Sequence, residues 1–450
     1  SVPADVIAAT LVLQALEGLS DRYAADALRQ NIAWKVAAGL AIDAPGIHPT
    51  VLTYWRNRLR QSDRPERIFD AVRDVVSATG ILKGRARRAL DSTVLDDAVA
   101  TQDTVTQLIA AIRRVLRVVP AAGDATLARD YSTPAKPNIA WDDPAAKAGL
   151  VTELVNDALT IIATLEGEVL DDEAADAVGL LALVAGQDVE PGDEPGTWRI
   201  AERVAPDRVV SVVDPESRHV HKTVHDYRDG YKAHAAAEPE TGLITDVAIT
   251  PGNTPDAETA LDLLAGETEP VDVLGDSAYG SGKLRAKLNA LGHGATIKPI
   301  PLRSAVPGGF TTDDFTLDTE NSTVTCPAGH TVALTRKLNA TFGKLCAGCP
   351  LRTQCTTAKD GRTLKVHPYD PELRAARAAA KDPDFALRYR TLRPMIERTL
   401  AWLVANNNRR LRYRGVERNQ LWLTHRAAAL NLRRLLNLGL QHDDGGWAIA

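Results

Sequence analysis

Apolar residues over 5–80 recur at helical spacing. Ser20 precedes Asp21 and a periodic set, Tyr23, Ala24, Ala27 and Leu28, which predicts an N-cap and a helix. Residues 46–50 read as a turn. Residues 51–59 read as a helix bearing Tyr54, Trp55, Arg56 and Arg58. Short helices followed by an Arg/aromatic helix predict an N-terminal helical DNA-binding domain over 1–80, helix-turn-helix-like, with Arg56 and Arg58 on DNA.

After a basic patch (Lys83, Arg85, Arg87, Arg88) the pattern turns to a strand over 89–95. Residues 103–118 and 145–185 return to helical period and end in an acidic run and a Pro/Gly-rich linker, so 103–204 reads as a helical insert. Strands are expected at 230–237 and 243–250, joined as a hairpin by 238–242. A helix at 255–265, a strand at 271–274, a helix at 281–291 and a strand at 295–299 follow. This order predicts an α/β core with a mixed five-stranded sheet and flanking helices, built from 81–102 and 205–305. Residues 306–368 carry short β-prone pieces and all four cysteines. Helices at 371–380, 388–408 and 417–438 complete a C-terminal part over 369–450.

The formal net charge of −5 hides segregation. Residues 388–434 hold twelve arginines against Glu397 and Glu417, a net of +10, while 163–197 hold ten acids and no base. A one-signed basic segment is the footprint of a polyanion, so double-stranded DNA is the expected partner. No apolar run reaches the roughly 20 residues of a membrane span, and no secretory signal pattern stands at the start. Four cysteines, three of them clustered, fit a cytosolic chain.

Three acids stand out. Asp91 lies in a strand and Asp276 closes another before a small-residue turn, Ser277-Ala278-Tyr279-Gly280. Ligands collect at the carboxyl ends of strands in open α/β sheets. Glu397 shares a helical face with Arg390 and Arg393, and Pro394 suits a first helical turn. Carboxylates brought from distant segments suit Mg²⁺ (or Mn²⁺), two ions clamping an in-line phosphoryl displacement. Arg390 and Arg393 then hold DNA phosphates. The plainer alternative is a simple Glu397–Arg393 helix pair. Asp96 and Asp97 lie past their strand, Asp272 opens one, and Glu417 starts a helix, so none has the context of the chosen three.

The ordered set resembles a bacterial insertion-sequence transposase of the DDE class. The resemblance rests on Gly18-Leu19-Ser20-Asp21-Arg22 with Trp34-Lys35, on Asp91-Ser92-Thr93, and on Gly230-Tyr231-Lys232-Ala233-His234. It continues through Thr250-Pro251-Gly252-Asn253, Gly275-Asp276-Ser277-Ala278-Tyr279-Gly280, Arg393-Pro394-Met395-Ile396-Glu397-Arg398 and the run from Asn408 to Gly415. It implies an RNase H-like catalytic core, an Asp91/Asp276/Glu397 triad, cleavage at transposon ends and strand transfer into target DNA, with a homodimer or larger assembly on DNA. The family's third motif places a tyrosine three residues before the arginine and often a lysine seven after the glutamate. Here Tyr389 is one position early and Val404 stands in the lysine's place. Phosphate contact is therefore assigned to Arg409 and Arg410, with Arg412 and Arg414 beside them. A nuclease without strand transfer, or a catalytically dead DNA-binding repressor, are the rival readings.

Cys326, Cys346, Cys349 and Cys355 carry a Cys-x-x-Cys pair with a third cysteine six residues on, a spacing that suits structural Zn²⁺ in a small zinc-ribbon-like insert. His330 is the alternative fourth ligand. Lys232 and His234 share a strand face, and Lys232 is expected on DNA. His219, His221 and His225 lack a ligand partner set and are not read as a metal site.

Overall fold

The computed structural model describes residues 2–133, 137–221 and 226–450. Its centre is a six-stranded sheet. Arg87–Asp96 runs antiparallel to Tyr227–Ala237, with Asp91 opposite Ala235, and parallel to Asp272–Gly275, with Ala89 opposite Leu274. Gly294–Ile297 extends the parallel side. Ile244–Pro251 pairs with the second half of Tyr227–Ala237, and Arg218–His221 pairs with its start. The last strand is the one that the pattern did not suggest. It is four residues long and reads Arg-His-Val-His, without the apolar run that marks the equally short Asp272–Gly275.

The 238–242 hairpin loop closes on itself. The Glu238 carboxylate accepts from the N–H groups of Glu240 and Thr241 at 3.1 and 2.7 Å. Gly242 sits at φ 73°, a left-handed conformation that glycine adopts without a Cβ clash.

Helices cover both faces. Pro383–Val404 and Val416–Asn437 lie on the face that carries Asp91. Ala233, Ala235 and Ala237 are fully buried there, and such small side chains let helices approach the sheet closely. The opposite face packs Leu90 and Ala236 against Leu263, Leu264, Leu284 and Leu288.

The N-terminal unit forms five helices, Ala4–Glu17, Asp21–Gln30, Ile32–Ala37, Pro49–Arg60 and Arg67–Ala78. Ser20 caps the second by accepting from Tyr23 N–H at 3.3 Å. Ile7, Leu11, Leu28, Leu52 and Phe69 share one apolar core with Ile396, Leu400 and Leu423, so packing is continuous across residue 80. By contrast, the insert helices Thr104–Val118, Pro144–Thr164 and Asp172–Gln187 bury a core of their own, as does the cysteine-bearing segment around Phe315, Phe342 and Leu364.

Two elements depart from expectation. The 255–265 helix is a short turn, Asp256–Thr259, followed by a 3₁₀ turn, Asp262–Leu264. The Glu397 helix begins five residues earlier than its periodicity indicated, at Pro383 behind the Asp382 cap. Pro394 therefore stands inside the helix rather than in its first turn, where it removes one i to i−4 hydrogen bond.

Candidate active site

The parallel pairing of the Asp91 and Asp276 strands stops at Ala89 and Leu274. Beyond that point the two strands part, which frees the Leu90 carbonyl. Arg393 Nη1 donates to it at 2.6 Å, and this bond fixes the guanidinium in the gap. Asp91 Oδ2 lies 2.6 Å from Arg393 Nη2, and Asp276 Oδ2 lies 4.0 Å from the same nitrogen. Glu397 Oε1, one helical turn on, lies 3.7 Å from Arg393 Nε. Three acids from two strands and a helix thus face one another across a single side chain.

Their environments differ. The Asp91 side chain is 14% exposed, that of Asp276 42% and that of Glu397 63%. Burial pushes the Asp91 carboxyl above its usual range, and the nearby Asp276 adds to this. Arg393 and the Ser92 N–H, which donates to Asp91 Oδ1 at 2.8 Å, pull the other way. Asp276 Oδ1 accepts from Ala278 N–H at 2.9 Å, which orients the carboxylate at the strand end. Burial tends to discharge Arg393, but Asp91, Tyr389 and Asp276 around it outweigh burial and hold its pKa up.

Behind Asp91 the sheet carries further polar groups, among them Asp256, which the sequence did not single out. Asp256 accepts from Ser92 Oγ at 2.7 Å and from Lys232 Nζ at 2.8 Å. Tyr279 is buried, and among the described residues its hydroxyl has no hydrogen-bond partner. His234 bonds Thr250 Oγ1 through Nε2 at 2.9 Å, and burial lowers its pKa to about 4, so it is neutral. The signal for Asp256 was present only as an acid shortly after Thr250-Pro251-Gly252-Asn253.

The acids passed over have other work. Asp96 pairs with Arg228, Asp272 accepts from Thr296 Oγ1, and Glu417 pairs with Arg60. Asp97 is buried away from the triad, beside Asp214 and Ser217.

The expected DNA-contacting cations divide into two groups. Arg58, Arg390, Arg410, Arg412 and Arg414 are exposed. Arg56 is held by Asp21 and Gln14 and lies over the Tyr413 ring. Lys232 is committed to Asp256 and the Thr254 carbonyl. Arg409 is half-buried and donates to the Val94 carbonyl at 2.9 Å. Arg393 is buried among the acids instead of facing solvent. His219 Nδ1 lies 2.6 Å from Asp229 Oδ1, while His225 and the side chain of His221 lie outside the described residues.

Cys326, Cys346, Cys349, Cys355 and His330 line one small cavity. Cys346 Sγ accepts from Arg362 N–H at 3.4 Å. Burial raises the Cys355 thiol, and the other three cysteines add to the rise. Among the described residues, however, no group of three or more His, Cys, Asp or Glu side chains is spaced to hold a metal ion as it stands. At the acids the physical reason is visible: the guanidinium occupies the centre.

Residues 325–436 match the family model described as Transposase DDE domain, and residues 1–58 match that described as Transposase domain (DUF772). Both matches are to transposase families, and together they support an insertion-sequence transposase of the DDE class. The first match includes Glu397 and all four cysteines, and the second includes Arg56 and Arg58. No curated protein and no solved structure matches the chain. The transposase family implies a DNA substrate. Among the described residues no helix of this transposase is long and apolar enough to cross a membrane.

Proposed function

We propose that this transposase cuts DNA at its element's ends and joins the freed ends to target DNA, using Asp91, Asp276 and Glu397 as the ligands of divalent cations. The observation that carries this reading is the meeting of the three carboxylates on one guanidinium. An RNase H-like core is supported by the strand order, with antiparallel strands on one side of the Asp91 strand and parallel strands on the other.

The donor set fits Mg²⁺ or Mn²⁺ in its chemistry. All three are hard oxygen donors, and Asp276 and Glu397 are open to solvent. When bound, such ions supply an activated water and neutralise charge on the scissile phosphate. The chain's own residues do the rest. Asp276 is aimed by its Ala278 N–H bond, and Asp91 by Ser92. Exposed Arg390, Arg410, Arg412 and Arg414 hold the DNA backbone by charge. The four thiols are proposed to bind a structural Zn²⁺ that ties the 306–368 insert together, since soft thiolate donors already share one cavity. A homodimer on DNA, joining two element ends, completes the reading.

The test is divalent-cation-dependent nicking of DNA that carries the sequences flanking the gene, with Asp91→Asn, Asp276→Asn and Glu397→Gln each expected to abolish it. Nicking that persists in all three variants refutes the assignment.

A further inference from the structure

The cation on which the triad gathers comes from the chain itself. Arg393 is 6% exposed and projects from the interior of the Pro383–Val404 helix. It makes one short contact, to Asp91, and two long ones, to Asp276 and Glu397. An arginine built only for structure commonly grips one carboxylate with two parallel bonds. Here three carboxylates are shared at unequal distances, and Nε is buried with no hydrogen-bond partner among the described residues. Carboxylates this close repel unless a cation compensates them. Three carboxylates against one guanidinium leave an excess negative charge, which draws a divalent ion into the same place.

We propose that Arg393 is an internal counter-ion: it holds Asp91, Asp276 and Glu397 assembled in the metal-free protein and yields the centre of the site when a divalent cation binds. The proposal rests on the reading of the three acids as cation ligands. Arg393 is a positioning residue in this account. Its bond to the Leu90 carbonyl at 2.6 Å anchors it to the point where the strands part, so it can give up the acids without leaving the gap. The exposure of Asp276 and Glu397 gives a cation its entry.

The experiment uses the full chain and Mn²⁺ as the probe, with titration calorimetry and thermal melting on wild type, Arg393→Gln and the double variant Asp91→Asn/Arg393→Gln. Without cation, Arg393→Gln should melt at least about 5 °C below wild type, because a buried ion pair has lost one partner. Saturating Mn²⁺ should restore most of that loss. Mn²⁺ should bind Arg393→Gln roughly tenfold more tightly than wild type, since no positive charge competes for the site. The double variant should regain metal-free stability by removing the most buried acid. If Arg393→Gln does not fold without cation, refolding in Mn²⁺ and the double variant should each recover folded protein, and recovery by neither overturns the proposal. Unchanged metal-free melting, or an unchanged Mn²⁺ affinity, also overturns it. Wild type that binds no Mn²⁺ overturns the reading of the acids as ligands, and the counter-ion role with it. Wild-type binding matched by Arg393→Gln removes the counter-ion role alone.

Discussion

Replacing Arg390, Arg410, Arg412 and Arg414 with alanine should flatten the salt dependence of DNA binding by roughly two to three units in log affinity against log salt. These four are exposed, whereas Arg393 and Arg426 in the same basic segment are buried and Arg409 is half-buried. Each phosphate neutralised on duplex DNA contributes a slope of about −0.9, so four contacts set a ceiling of about 3.6 units. The side chains that remain partly tied lower the figure. Arg412 donates to the Gly18 carbonyl and Arg410 reaches the Ala98 carbonyl at 3.5 Å, so some of their charge is already used within the protein. Fluorescence anisotropy on a labelled duplex between 50 and 300 mM salt measures the slope. Circular dichroism on the same samples checks folding, which should hold because none of the four is buried. A quadruple variant with the wild-type slope refutes the assignment of this segment to the DNA path.

Burial raises the Asp246 carboxyl to about 6, with Glu66 and Asp70 adding to the rise and Val247 N–H and Arg73 opposing it. A carboxyl raised on folding contributes stability that is full below about pH 4 and is lost as pH climbs through 6. Asp246→Asn should therefore raise the melting temperature by roughly 2–4 °C at pH 7.5 and remove that part of the pH dependence, with an unchanged melting profile as the contrary result. Elemental analysis should find about one zinc per chain, lost in Cys349→Ser. Metal-free protein with four freely titrating thiols and unaltered melting would exclude the zinc reading.

Much of the fold was legible because its periods are local. The Ser20 cap, the Asp91 and Asp276 strands and the long C-terminal helices follow from spacing alone, and the structure places them within a few residues. Arg393 shows where this stops. Its spacing to Glu397 announced an ion pair on one helix, but the partners Asp91 and Asp276 stand 302 and 117 residues earlier in the sequence. The charge count misled in a similar way. Arg426 adds to the basic segment on paper, yet it is fully buried and donates to the carbonyls of Ala15, Leu16, Trp402, Leu403 and Ala405 at two helix ends. Composition cannot separate a guanidinium that caps helices from one that meets phosphate. Asp256 was missed because it opens a short helical turn and its partners, Ser92 and Lys232, lie on two strands distant from it in sequence.

The most direct test of the account is single-turnover nicking by the purified protein on supercoiled plasmid carrying the gene's native flanking DNA, in Mg²⁺, Mn²⁺ or chelator. Cation-dependent 3′-hydroxyl ends should form at defined positions and be abolished by Asp91→Asn, Asp276→Asn or Glu397→Gln, with duplex affinity close to wild type in each variant. Cleavage that survives the chelator, or that any one of the three variants performs at the wild-type rate, contradicts it.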